Sequence, residues 1–124
     1  MEKKAVIAKK LYEKSSIIIK EFVEDGIENG FDDISMVVWY NTLSSLCALA
    51  YRLPEIKGNE KLAEKVVYDT MMLILENDVP MSEDQKRMAL KTYKSVGPTI
   101  IDIMIPGSIP KCCCFPGTKR KYEK

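Results

Sequence analysis

Between Asp33 and Arg52 the chain runs 18 residues without a charge, although 30% of all its residues are charged. Met36, Val37, Val38, Trp39, Tyr40, Leu43, Leu46, Cys47 and Leu49 fall on every side of a helical wheel drawn through this run. A helix that is apolar all round belongs either in the middle of a bundle or in a bilayer. Eighteen residues only reach the lower limit for crossing a membrane, and Asn41, Thr42, Ser44 and Ser45 interrupt the apolar stretch at its centre. The expectation is therefore a helix over residues 34–53, capped by Asp32 or Asp33, ended by Pro54 and buried at the centre of a bundle. A membrane-embedded helix is the alternative.

The neighbouring segments read as amphipathic helices that could surround it. Ala5, Ala8, Leu11, Tyr12, Ile18, Ile19, Phe22 and Val23 recur at spacings of three and four, with lysines and glutamates between them. They predict one helix over residues 2–25, stopped by Gly26 and Gly30 with its end near Gly26. Residues 57–105 form two helical patterns joined by an Asp78-Val79-Pro80 turn, a helical hairpin. Asn59 is placed to cap the first, whose inner stripe is Leu62, Val66, Val67, Thr70, Leu73 and Ile74 and which ends around Asn77. Ser82 and Gln85 make a capping box for the second, followed by Met88, Ala89, Tyr93 and Val96 at helical spacing. At Gly97-Pro98 this helix either kinks, or ends so that a new short helix takes Pro98 in its first turn. Residues 106–124 carry three prolines, two glycines and a basic end, the composition of an extended tail.

A chain of 124 residues is one domain by size, able to bury about two-thirds of its unfolded surface. The fold class expected is all-α: a four- to five-helix bundle over residues 1–105 with a short extended Pro/Cys/Lys-rich C-terminal tail, residues 106–124.

Charge and composition exclude several functions. A net charge of +1 argues against specific nucleic-acid binding. The tail sets five basic residues against Glu123 alone, a net of +4, which leaves −3 over residues 1–105. The chain has no histidine, and so lacks the commonest general base and metal ligand. Phosphate-loop, dinucleotide and nucleophile-elbow motifs are absent, so no catalytic residue, small-molecule substrate or cofactor is expected. The opening residues have no unbroken apolar core of the signal-peptide kind, which points to synthesis in a cytosol-like compartment.

The consecutive cysteines Cys112, Cys113 and Cys114 are the most distinctive chemical feature. Adjacent thiols converge poorly on one tetrahedral ion, and no metal site is expected. Beside Lys111 and the Lys119, Arg120, Lys121 cluster they suit reversible S-acylation, where lipid chains and a basic patch together anchor a protein to a membrane. Disulfide bonding to a partner and free thiols remain open alternatives. Cys47 reads as a buried structural thiol. The acidic cluster Glu24, Asp25, Glu28, Asp32 and Asp33 flanks helix ends, where capping and solvation account for it. Methionines 71, 72, 81, 88 and 104 read as core filling. The segment Ile100, Ile101, Asp102, Ile103, Met104 and Ile105, nearly all apolar with one acid, is a candidate partner contact together with Lys119, Arg120 and Lys121 of the tail. Asp102 must point outward or find a cap or salt bridge within the bundle.

The hairpin also resembles a known group. Lys57-Gly58-Asn59-Glu60-Lys61 opening a helix, Ser82-Glu83-Asp84 opening the next, and the closing Ile100-Ile101-Asp102 are similar to short helical proteins of nucleocytoplasmic large DNA viruses, in the algal-virus, amoebal-virus and iridovirus range. The likeness covers the second half of the chain. Pro106 and the cysteines depart from the lysine- and glycine-rich tail usual in that group. The resemblance implies no enzymatic activity. It implies a structural or interaction role, as a minor capsid or virion-assembly component contacting other protein subunits, in the virion or host-cell cytoplasm. A membrane-peripheral adaptor anchored through Cys112, Cys113 and Cys114 is the alternative.

Overall fold

Residues 2–105 are described by the computed structural model and contain α1 (Glu2–Glu13), α2 (Ser16–Asn29), α3 (Met36–Ala50), α4 (Glu60–Asn77) and α5 (Glu83–Met104). No strand occurs among them, and the fold is an all-α bundle.

The first predicted helix is in fact two. Ser15 is fully buried, and its Oγ donates to the Leu11 carbonyl at 2.6 Å. The Lys14 and Ser15 amides turn back to Leu11 and Tyr12 at 3.0 and 3.1 Å. A serine hydroxyl that competes for helix carbonyls loosens the ladder, and here it coincides with a break. α2 then continues past Gly26. That glycine is buried beneath the Phe31 ring, which would collide with any Cβ, so it serves packing rather than termination. The stop is Gly30, whose φ of 94° lies in the left-handed region that glycine adopts freely.

Ser35, rather than Asp32 or Asp33, caps α3: its Oγ accepts from the Val38 amide at 3.3 Å. Asp32 instead accepts from Gln85 Nε2 at 3.0 Å and ties this loop to the start of α5. Trp39, Leu43, Leu46 and Ala50 are fully buried, whereas Val37, Tyr40, Asn41, Ser44 and Ala48 are exposed on the opposite side. The expectation of a helix buried all round is overturned. α3 turns one face inward against the four other helices and the other to solvent. Among the described residues no helix is long and apolar enough to cross a membrane.

The centre belongs to α4, which packs against α1, α3 and α5. Leu62, Ala63, Val66, Val67, Thr70, Met71, Ile74 and Leu75 are buried along it. Asn59 caps it as expected, accepting from the Leu62 amide at 3.1 Å. The buried Thr70 hydroxyl donates to Val66 O at 2.7 Å and lies 3.2 Å from Ala8 O of α1. At the far end Tyr12 Oη donates to Asp78 at 2.6 Å, a contact that raises the tyrosine pKa.

Four rings fasten the remaining helices together. Phe22 of α2 meets Trp39 of α3 at 5.8 Å, Trp39 stacks on Tyr93 of α5 at 5.6 Å, and Tyr93 stacks on Tyr68 of α4 at 4.9 Å. Each such pair adds about 0.5–1.5 kcal/mol beyond the area it buries. Tyr93 Oη donates to the Tyr68 carbonyl at 3.0 Å, which satisfies the one polar atom of that buried ring.

The capping box opens α5 as expected. Ser82 Oγ accepts from the Gln85 amide at 3.1 Å, and Gln85 Oε1 accepts from the Ser82 amide at 3.0 Å. The helix then runs without a break through Gly97-Pro98 to Met104. Gly97 is buried where the Tyr93 ring lies over it, while Pro98 stands on the exposed side, where its missing amide faces water. Met88, expected in the core, is 54% exposed.

Candidate functional site

The hairpin sets the first turns of α4 beside the last turns of α5. Lys61, Glu64, Lys65 and Tyr68 face Pro98, Ile101 and Asp102 across a cleft of about 410 Å³. Lys65 is drawn toward Asp69, 3.6 Å away. The two carboxyls that remain meet each other. Asp102 lies beside Glu64, and a hydrogen bond with that carboxyl, with desolvation and charge repulsion, raises the Asp102 pKa above its ordinary value. Glu64 Oε2 is buried without a hydrogen-bond partner among the described residues. Asp102 therefore finds neither the cap nor the salt bridge expected for it, but another acid. The cleft can accept hydrogen bonds, and its Tyr68 wall can pack against an apolar group.

The candidate contact segment is divided by this geometry. Ile100, Ile101 and Ile105 are buried in the bundle core and are not free to meet a partner; Met104 is half-buried. Asp102 and Ile103 face outward, Ile103 at 58% exposure. Cys112, Cys113, Cys114, Lys119, Arg120 and Lys121 lie outside the described residues. Cys47 is buried, and burial pushes its thiol pKa up to about 11, far from a reactive thiolate. Of the acidic cluster, Asp25 accepts from Asn29 Nδ2 at 3.0 Å and Asp32 from Gln85. No group of three or more potential ligands among the described residues is arranged to hold a metal ion.

Sequence reasoning missed Glu64. Its place beside Ala63, at the edge of the α4 stripe, was readable, but its meeting with Asp102 depends on how α4 crosses α5. It also missed the outer face of α3, where Val37 is 66% and Tyr40 48% exposed on a helix without charge, with Glu21 and Asp25 of α2 bordering its Asn41 and Ser45 side. Ile17 and Ile27 of the adjoining α2 are likewise exposed, at 71% and 68%.

The chain matches no family model, no curated protein and no solved structure.

Proposed function

We propose that this chain is a non-enzymatic structural and interaction protein, a minor capsid or virion-assembly component of a large DNA virus. The observation that carries the interaction role is the exposed, charge-free face of α3, built on a rigid helical scaffold. Apolar side chains held out on an ordered helix suit contact with other protein subunits. The viral setting rests on the likeness of the 57–105 hairpin to small helical proteins of such viruses. Mass spectrometry of gradient-purified particles from infected cells tests it: recovery of the chain at constant ratio to the major capsid protein is expected, and its absence from the particles overturns the reading.

The second reading is a membrane-peripheral adaptor, favoured by Cys112, Cys113 and Cys114 beside Lys119, Arg120 and Lys121. Flotation separates the two. A chain that floats with membranes, and loses this on triple Cys→Ser substitution, is an adaptor of that kind.

A further inference from the structure

The outer face of α3 has a pattern that says what covers it. Val37, Asn41, Ser44 and Ala48 form its midline, at spacings of four, three and four residues, and all are exposed. Tyr40 stands on one flank and Ser45 on the other. The uncharged run is bounded by one charge of each sign, Asp33 before it and Arg52 after it. Both are exposed, and neither is in an ion pair among the described residues.

We infer that α3 is a self-association surface, on which a second copy of this chain docks with its α3 antiparallel to the first. The run is centred between Thr42 and Leu43, so a two-fold axis there fixes every opposing pair. Val37 falls opposite Ala48 of the second copy, a large side chain against a small one. Asn41 falls opposite Ser44, an amide against a hydroxyl that can hydrogen-bond to it. Arg52 comes to the same end as Asp33 of the other copy, and the symmetry repeats this pairing at the far end. A parallel arrangement would bring like charges together. A strongly charged partner would find no matching charge along the helix between those two rims. The α3 helix of a second copy brings none that needs matching, and its ends supply both rim partners.

The size of the contact sets its strength. A helix of 15 residues is about 22 Å long. One helix pair of that length buries less than the roughly 800 Å² per partner of a standard stable interface, so the dimer is a weak one, dissociating at micromolar concentration. It forms wherever the chain is concentrated, whether or not it enters a particle.

Analytical ultracentrifugation of the full chain, with Cys112, Cys113 and Cys114 replaced by serine to exclude disulfide dimers, tests this from about 5 to about 500 µM. A monomer–dimer equilibrium is expected. Ala48→Arg abolishes it while leaving the circular dichroism melt of the monomer unchanged. Asp33→Arg and Arg52→Asp each weaken it by about 3- to 10-fold, and the double reversal restores it, because antiparallel pairing returns opposite charges to both ends. The inference is overturned by a wild-type chain that stays monomeric throughout, by a dimer indifferent to Ala48→Arg, or by a double reversal no tighter than the singles. Dimerisation that survives Ala48→Arg places the contact on another face.

Discussion

α3 and α4 divide exposure and burial otherwise than their charge suggests. α3 carries no charge, yet half of its surface faces water. α4 carries Glu60, Lys61, Glu64, Lys65, Asp69 and Glu76, yet it buries eight residues and packs against α1, α3 and α5. Mean hydropathy along a helix is thus a poor guide to depth. What places a helix at the centre is the width of its continuous apolar stripe. Along α4, Leu62-Ala63, Val66-Val67, Thr70-Met71 and Ile74-Leu75 repeat as pairs and present a band broad enough for three neighbours. Along α3, Trp39, Thr42-Leu43, Leu46-Cys47 and Ala50 form a shorter inward face that meets all four other helices, while Val37, Tyr40, Asn41, Ser44 and Ala48 stay exposed.

The strongest way to break this contrast is to put a charge into α4. Ile74→Asp sets a carboxylate at a fully buried position with no partner, at a cost of more than about 4 kcal/mol, and the variant is expected to lose its cooperative thermal transition. The inner face of α3 comes next. Trp39→Ala empties the middle of the aromatic column and is expected to cost about 3–5 kcal/mol in urea unfolding. Ser82→Ala removes one half of the capping box at the start of α5 and costs about 1 kcal/mol, read as a lower urea midpoint with unchanged slope.

The smallest effect concerns the α4–α5 cleft and depends on pH. Asp102 titrates above its ordinary value of 3.8 in the folded chain, mainly through its hydrogen bond with Glu64. A carboxyl raised by folding contributes stability that is fully present below the unfolded value and is lost as pH rises through the folded one. Wild-type stability is therefore expected to fall relative to Asp102→Asn across that interval. Because Asp102 is exposed, the variant gains only about 0.3 kcal/mol at neutral pH. Matched urea titrations at acid and neutral pH read the difference.

Features written in local chemistry were legible in the sequence. Asn59, the Ser82–Gln85 box and the inner stripe of α4, except for half-buried Leu73, stand where their residue types predict. Features that depend on a distant neighbour were not. Gly26 looks like a helix stop, and only the Phe31 ring above it shows that its missing side chain is needed for packing. The break at Ser15 carries no glycine or proline to announce it. Gly97-Pro98 looks like an interruption, but with Gly97 under the Tyr93 ring and Pro98 facing water the helix continues. The Glu64–Asp102 pair joins residues of different helices, so its register belongs to the α4–α5 crossing rather than to either segment. The composition of α3 showed that it was unusual without showing which side would face out.

The account rests most on that outward side being a true surface. Urea unfolding of Ser44→Arg, at a concentration low enough to keep the chain monomeric, tests it directly. An arginine at the middle of an exposed face should leave stability within about 0.5 kcal/mol of wild type. A loss of several kcal/mol, comparable with Trp39→Ala, would mean that this face of α3 is buried after all and would contradict the arrangement of the bundle described here.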